Sequence, residues 1–528
     1  MCRCDHRWWV RPILGVSVPV VTRWFAAVIV SGIVTTTNST SEVSYGRRLT
    51  EIAAERPDDI DITIVHRDGT ERDLSWRELE TRANQIARAL QSHGVGKDDV
   101  VGLALPSSAE HVLVTLAIWK LGATLLPLRH DLPDWEMDRM LVMAQPKVLV
   151  SDTHHADVPV LTCADLAATA SLDGSALPDA ISECVNLVAS SGSTGFPKLI
   201  VTPSRGVVAD EPSTGTTKGP ERAVCLVTSP LYHVNGFAFA APNALEGDRV
   251  YIMEKFDAEQ AVELIEKHQI TFTVMVPTML QRVARLPNLH KEQLASLGRI
   301  VYGGARVPDW VVDRWIELVD PEKFVLTYGS SERLGLMMMN GAEWAEHRGA
   351  TGRPVDSTLS IRDEAGNELP RGEVGDIYIK PNPDRRIFEY IGIPTPDPTP
   401  DGYFTLGDIG WMDEEGYLYV TDRRKDMIVS GGANVFPAEV EAALSEHPQV
   451  LDQVVVGVPD DEWGQRVHAI VQVADPANPP SADELRAWCK ERLASYKVPK
   501  TVEIVERVPR TEAGKLNRTD LGTERAGS

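Results

Sequence analysis

From Tyr45 onward, short apolar segments alternate with amphipathic ones, and this alternation limits the possible folds more than any other feature of the sequence. Residues 100–105 and 148–150 are typical of buried strands. Residues 75–78, Ser-Trp-Arg-Glu, form a capping-box pattern, and the apolar residues after them share one helical face until Gly94. Strands that alternate with helices form parallel sheets covered by helices on both faces. The sequence therefore predicts an α/β fold.

Composition limits the class of protein. The length of 528 residues exceeds what one hydrophobic core usually supports, so we expect two or more domains. The net charge is −23, from 53 basic and 76 acidic residues, which argues against general nucleic-acid binding. The six cysteines are scattered without a disulfide framework, which favours a reducing, cytoplasmic location. Cys2 and Cys4 with His6 have no second ligand pair, so we expect no metal there.

Residues 1–44 differ from the rest of the chain. Residues 13–34 are apolar and follow three arginines, as in a signal or anchor segment. Pro19 and Arg23 interrupt this run, and a span needs ~20 apolar residues. The polar residues that follow are typical of disorder. We expect a disordered or non-native extension, for example from a start codon assigned too early, and no stable membrane anchor; an anchor is the alternative.

Residues 190–198, SSGSTGFPK, follow an apolar run at 185–189 that predicts a buried strand. Glycines let a backbone turn tightly and bring its N–H groups close to a bulky anion, while hydroxyls and a lysine add donors and charge. The loop is not a Walker A motif, because no lysine directly follows its second glycine. A solvated turn is the alternative. The residues predicted to bind phosphate are Ser190, Ser191, Gly192, Ser193, Thr194, Gly195 and Lys198.

Further segments follow this loop in order: SPLYHVNGF (229–237), YGGAR (302–306), TYGSSE (327–332), FTLGDIG (404–410), DRRKD (422–426) and PRTEAGK (509–515). Together they resemble the adenylate-forming superfamily of acyl-CoA synthetases, luciferases and peptide-synthetase adenylation domains, over about residues 45–520. Residues 341–354, 422–441 and 454–470 are most similar to bile-acid-CoA ligases and related bacterial acyl-CoA ligases. Leu199, where the family usually has glycine, departs from the pattern.

The resemblance implies two domains. The first, over 45–424, would bind ATP and the acid and contain parallel-rich sheets with flanking helices plus a distorted barrel. The second, over 425–528, would be a small mobile α+β lid that carries the adenylation lysine, and Lys425 would be the pivot between them. Its sequence predicts a strand at 427–429, a helix from Ala438, strands at 454–456 and 468–473, and a helix over 483–494. Residues 381–402 are rich in Pro and Asp and predict a loop.

The resemblance also implies where the nucleotide binds. Asp408 matches the acid that binds both ribose hydroxyls, because a carboxylate accepts two hydroxyl donors in a bidentate manner. Arg423 matches a residue that contacts ATP. Glu332 matches the carboxylate that holds Mg²⁺ against the phosphates, since a hard cation prefers carboxylate oxygen. The residues implied for the adenine are Gly304, Ala305, Arg306 and Tyr328, and Gly329 is implied to bind the nucleotide.

The remaining implied residues serve the reaction. Ser331 stands where the family usually has threonine and keeps a hydroxyl for the α-phosphate. His233 would lie near the substrate carboxylate. Lys515 matches the adenylation lysine, whose charge offsets the repulsion between two anions, the carboxylate and the α-phosphate. Gly431 and Gly432 resemble the strand that lines the pantetheine tunnel of CoA-forming members.

The resemblance implies an acid–thiol ligase that uses ATP, Mg²⁺ and coenzyme A, makes an acyl-adenylate and then an acyl-CoA thioester. The expected acid is bulky and hydrophobic, either bile-acid-like or fatty. The expected partners are these small molecules, with no nucleic acid, in a monomer or homodimer. Two alternatives stay open: an adenylation enzyme that loads a carrier protein or an amine, and a non-catalytic nucleotide-binding relative.

Overall fold

The computed structural model describes residues 42–153, 157–191, 197–202, 204–208, 222–304, 306–382, 388–511, 514 and 516–526, with only the backbone of Ser190, Ser191 and Pro197. The extension at 1–41 lies outside these residues. Six of the predicted site residues also lie outside them, namely Gly192, Ser193, Thr194, Gly195, Ala305 and Lys515. Within the described ranges, every helix is too short or too polar to cross a membrane.

The strands are named here in chain order. Up to residue 208 they are β1 (Val43–Ser44), β2 (Ile60–Val65), β3 (Glu71–Ser75), β4 (Val100–Ala104), β5 (Thr124–Pro127), β6 (Val148–Ser151), β7 (Val160–Leu161), β8 (Leu187–Ser191), β9 (Pro197–Val201) and β10 (Val207–Val208). Up to residue 423 they are β11 (Val224–Val227), β12 (Arg249–Met253), β13 (Phe272–Met275), β14 (Arg299–Tyr302), β15 (Phe324–Gly329), β16 (Leu336–Asn340), β17 (Arg353–Pro354), β18 (Ser357–Arg362), β19 (Gly375–Pro381), β20 (Glu389–Ile391), β21 (Phe404–Met412) and β22 (Leu418–Arg423). The remainder are β23 (Ile428–Ser430), β24 (Ala433–Val435), β25 (Val450–Asp460), β26 (Gly464–Val473) and β27 (Thr501–Val505).

The helices are named in the same way. They are α1 (Tyr45–Glu55), α2 (Trp76–Ser92), α3 (Ala109–Lys120), α4 (Asp134–Ala144), α5 (Cys163–Ala168), α6 (Val234–Phe237), α7 (Ala241–Leu245), α8 (Ala258–His268), α9 (Pro277–Ala284), α10 (Asp309–Leu318), α11 (Gly341–Glu346), α12 (Pro437–Ser445), α13 (Ala482–Arg492) and α14 (Arg518–Glu524).

The largest sheet that the structure describes has the order β17-β16-β15-β14-β13-β11-β12-β2-β3. Strands β2 and β11–β15 run parallel, and antiparallel strands close both edges. A second, parallel sheet has the order β5-β4-β6-β7. Helices α2 and α3 share a core with strands of both sheets, while α8–α10 pack on the other face of the large sheet. The predicted α/β fold is confirmed.

Helix ends follow from the sequence at several points. The Ser75 side chain accepts from the Glu78 backbone N–H, so Ser75 caps α2 as predicted, and Gly94 follows the helix end at φ +83°. Helix α3 is apolar on nearly all sides because it lies between two sheets. Its one buried ammonium, at Lys120, pairs with Glu80 at 2.8 Å.

Two antiparallel sheets follow the parallel ones, with the orders β18-β19-β21-β22 and β20-β9-β8. They share one core with Phe237, in the part of the chain for which the resemblance implies a distorted barrel. The prediction of a loop over 381–402 was incomplete, because β20 lies inside it and pairs with β9. Residues 388–391, FEYI, include two aromatic residues and a β-branched one, which favour a strand, but the surrounding prolines and aspartates obscured this signal.

The last part of the chain has its own sheet, β24-β23-β26-β25 with β27 beside β26, and its own cores, whose residues all lie between 428 and 521. Helices α12 and α13 cover this sheet close to the predicted positions. The elements form an α+β unit, as expected. The position of the hinge, near Lys425, stays a prediction.

Candidate active site

The predicted site segments converge because of how a parallel sheet is built. Residues 228–233 follow β11, residues 276–278 follow β13, Gly303 and Gly304 follow β14, and residues 330–332 follow β15. Parallel strands end at one edge of their sheet, and ligands bind in the crevice outside that edge where the strand order switches direction. The chain leaves β11 for β12 on one side and returns to β13 on the other. The segments therefore line one crevice.

The three side chains implied for the nucleoside meet at this crevice. The Tyr328 hydroxyl donates to Asp408 Oδ2 at 2.5 Å, and Arg423 Nε donates to Asp408 Oδ1 at 3.2 Å. Burial and the neighbouring carboxylate raise the pKa of Tyr328 well above its usual range, so the phenol stays a donor. Both oxygens of Asp408 thus have donors, and a ribose would replace or share them.

The glycines after β14 allow close approach. A Cβ at Gly303 would lie 2.5 Å from Thr327 Oγ1, so a side chain there would push β14 away from β15. Gly304 has φ +99° and open space around the position of a Cβ. A flat ring can therefore lie against this backbone. Arg306 is exposed beyond it.

The residues implied for the phosphates and for Mg²⁺ include a buried ion pair. Lys198 Nζ donates to Glu332 Oε1 at 3.0 Å, with 11% and 9% of the two side chains exposed. Burial opposes the charge on Glu332, but Lys198 and the hydrogen bonds from Tyr390 and Lys198 outweigh it and hold the pKa of the carboxyl below its usual range. An ionised, inward-facing carboxylate fits a Mg²⁺ ion, which binds oxygen ligands.

Tyr390 is a third member of this cluster that the sequence reasoning missed. Its hydroxyl donates to Glu332 Oε1 at 2.7 Å, and Lys198 Nζ lies 3.6 Å from the centre of its ring. Burial and the charge on Glu332 raise the pKa of Tyr390 far above the usual range. The strand pairing of β20 with β9 produces this contact, and it links residues almost two hundred positions apart.

Leu199, where the sequence departs from the family pattern, packs behind the strand that follows the predicted phosphate loop. Lys198 and Leu199 are consecutive residues of β9, so their side chains point to opposite faces. Leu199 is fully buried in a core with residues of α4, and it pairs with Ile391 across the β9–β20 ladder. The leucine fills the core behind the strand.

His233 follows β11 and precedes α6, and its backbone N–H donates to Pro230 O at 2.9 Å. A Cβ at Gly236 would lie 2.0 Å from that same Pro230 oxygen, so only glycine fits there. Phe237 is buried in a core with Leu334, and Val234 and Tyr328 pack against this core. The segment therefore contributes to the apolar core against which Tyr328, implied for the adenine, packs. Ser331 lies in the turn after β15, next to Glu332.

The small unit presents one of its loops to the crevice. A Cβ at Gly514 would lie 3.0 Å from Thr278 Oγ1, so the residue before Lys515 touches the start of α9. Gly431 and Gly432, at φ +58° and +78°, form the tight turn between β23 and β24, and Gly431 lies against Trp463 of the same unit. Lys425 is exposed in the short turn that joins β22 to β23.

Fold and crevice together define a two-part α/β protein of the adenylate-forming class. Residues 49–382 match the family described as AMP-binding enzyme, and residues 439–515 match the AMP-binding enzyme C-terminal domain. The chain belongs to the AMP-binding enzyme family, and the resemblance read from the sequence is confirmed.

Two relatives and one solved structure support the same conclusion. The chain is 34% identical over 480 residues to a feruloyl-CoA synthase from Amycolatopsis, covering 87% of this chain and 95% of that protein. It is 31% identical over 477 residues to the fatty acid–[acyl-carrier-protein] ligase ScoC of Streptomyces coeruleorubidus, covering 85% and 91%. The solved structure of o-succinylbenzoate coenzyme A synthetase (MenE) from Bacillus subtilis, in complex with ATP and magnesium ion, superposes with a TM-score of 0.74 at 26% identity, covering 91% and 100%.

Proposed function

We propose that this chain is an ATP-dependent, AMP-forming acid–CoA ligase that activates a hydrophobic carboxylic acid. The ligase class rests on the family and on the named relatives. The crevice is the observation that connects the proposal to particular residues. The Lys198–Glu332 pair, the Tyr328–Asp408–Arg423 group and Gly514 all border the carboxyl edge of one parallel sheet.

The first step forms the acyl-adenylate. One oxygen of the acid attacks the α-phosphorus, and the bond to pyrophosphate breaks. Asp408 and Tyr328 hold the nucleoside, the phosphate loop and Lys198 hold the phosphates, and Ser331 donates to the α-phosphate. Lys515 would offset the repulsion between the two anions, and the contact of Gly514 with Thr278 supports its entry into the crevice. Mg²⁺, held by Glu332, would neutralise phosphate charge.

The second step transfers the acyl group to a thiol. The small unit rotates about Lys425, which withdraws Lys515 and brings Gly431 and Gly432 to the crevice. The thiolate attacks the carbonyl carbon, and AMP leaves with the bonding electrons. His233, which precedes Val234, would hold the carboxylate end of the acid. A rotation of this kind keeps water from the adenylate.

Coenzyme A is the proposed thiol. Trp463 lies directly behind the Gly431 turn with 38% of its surface exposed, and Lys500 Nζ lies 4.3 Å from the centre of its ring. An exposed ring beside an ammonium suits the base and phosphates of a nucleotide-bearing thiol. One named relative acts on an acyl carrier protein, so loading of a carrier protein remains the second candidate.

The acid is proposed to be bulky and hydrophobic, of a bile-acid-like, fatty or aromatic type. The apolar core of Phe237 and Leu334, against which Val234 and Tyr328 pack, supports this class. Feruloyl and fatty acyl groups, named for the relatives, are hydrophobic as well.

AMP release with ATP and Mg²⁺ over short, aromatic, long-chain and steroid acids, with and without CoA, tests the proposal. CoA-dependent turnover with a hydrophobic acid is expected. Pyrophosphate exchange that CoA leaves unchanged would point to a carrier protein or an amine as acceptor. Failure of every acid in the exchange assay would contradict the ligase and favour a non-catalytic nucleotide-binding relative.

A further inference from the structure

We propose that Tyr390 is a positioning residue for both charged groups that receive the polyphosphate, with its hydroxyl fixing the Glu332 carboxylate and its ring carrying the Lys198 ammonium. The inference rests on the proposed function, because that function assigns Glu332 to Mg²⁺ and Lys198 to phosphate. It gives this segment a role that neither the loop prediction nor the family match supplies.

The backbone holds Tyr390 in place. In the antiparallel β9–β20 ladder Tyr390 lies opposite Ile200, which makes Lys198, two residues away, its diagonal neighbour on the same face. The Tyr390 N–H donates to Thr395 Oγ1 at 2.9 Å, and the Phe388 ring lies 5.0 Å from the tyrosine ring. The ring is therefore fixed by strand pairing, by a backbone hydrogen bond and by an aromatic neighbour.

Tyr390 gives each member of the buried ion pair a contact that it can keep when the pair separates. Lys198 and Glu332 are both largely buried and 3.0 Å apart, and a buried charge that loses its partner is strongly destabilised. Phosphate must attract Lys198 and Mg²⁺ must attract Glu332, so the pair has to loosen when ATP binds. With Tyr390 present, Glu332 Oε1 keeps the phenol hydrogen bond while Oε2 can face the metal, and the ammonium keeps the aromatic face.

Two substitutions separate the two contacts. Tyr390→Phe keeps the ring and removes the hydroxyl, whereas Tyr390→Leu removes both. Tyr403→Phe is the matched control, because the Tyr403 ring lies over Arg362 and Lys380 and lacks contact with the Lys198–Glu332 pair. Calorimetry measures ATP affinity in EDTA and in excess Mg²⁺, and thermal unfolding checks that each variant folds.

We expect Tyr390→Phe to bind ATP in EDTA with an affinity within twofold of wild type. The gain in ATP affinity on adding Mg²⁺ should be about tenfold smaller than in wild type, since one hydrogen bond to a charged group is lost. Tyr390→Leu should also lose about tenfold in EDTA, and Tyr403→Phe should match wild type. Equal losses for Tyr390→Phe with and without Mg²⁺, or wild-type affinities for both Tyr390 variants, would overturn the inference. If the wild-type protein itself binds no ATP, the proposed function fails and the inference fails with it.

Discussion

Arg285 joins the two parts of the protein in the arrangement that brings Gly514 to the crevice. It lies at the end of α9, donates to Leu451 O at 2.6 Å and to Ser445 O at 3.1 Å in the small unit, and places its guanidinium 5.0 Å from the Trp310 ring. The Trp310 indole N–H in turn donates to Ser445 Oγ at 3.3 Å. Rotation of the small unit would have to break the Arg285 hydrogen bonds.

Arg285→Ala should therefore weaken the first half-reaction and spare the second. Each of the two hydrogen bonds contributes about 1 kcal/mol to the docked arrangement, so their loss costs about 2 kcal/mol. An energy of that size corresponds to about a 30-fold shift of population towards undocked arrangements. We expect acid-dependent ATP–pyrophosphate exchange to fall by up to about 30-fold.

The assay compares that exchange with thioester formation from supplied acyl-adenylate and CoA, using the acid that the substrate panel identifies. Arg314→Ala is the matched control, because Arg314 on α10 donates to Leu289 O and Glu317 within the large part of the chain. Thioester formation should be unchanged or faster in Arg285→Ala. An equal loss in both half-reactions, or the same loss in Arg314→Ala, would refute the role given to Arg285.

Three further outcomes follow from the same geometry. Lys515→Ala should lose at least about 100-fold in pyrophosphate exchange, as expected for an electrostatic catalyst, with AMP affinity unchanged by calorimetry; wild-type exchange would contradict the assignment. Trp463→Ala should raise the KM for CoA several-fold in steady-state assays without changing exchange, and an unchanged KM would remove the support for a CoA site beside Gly431. Burial raises the pKa of Asp248 to about 6, above the usual 3.8. Between these two pH values the carboxyl is protonated in the folded protein and ionised in the unfolded chain, so the folded protein loses stability as pH rises from 3.8 to 6. Asp248→Asn should match wild type below pH 4 and be about 1–3 kcal/mol more stable above pH 6 in denaturant titrations, whereas equal stability at pH 7 would contradict the burial argument.

Much of the crevice could be predicted because the family resemblance assigned its residues, and the sequence marks clearly the strands that precede many of them. Tyr328 lies at the end of β15 and Glu332 follows it, and parallel strands bring such positions to one edge without any knowledge of strand order. Tyr390 could not be found this way, because its position depends on pairing between β9 and a three-residue strand far along the chain. Sequence periodicity reports local structure, and a short strand among prolines gives almost no periodic signal. For the same reason, the sequence did not show why a leucine stands at position 199, because its core partners come from α4 and β20.

The contacts of Arg423 connect the nucleotide residues to the proposed pivot. Arg423 is the last residue of β22 and immediately precedes the turn at 424–426, and it donates to Asp408, which also accepts from Tyr328. A ribose bound by Asp408 would compete with Arg423 for carboxylate oxygens, so the bound nucleotide and the residue before the proposed hinge would share one acceptor. The opposite side of the same turn leads into β23 and the Gly431 turn. Binding at Asp408 would therefore change the contacts of Arg423, the residue that immediately precedes the proposed pivot.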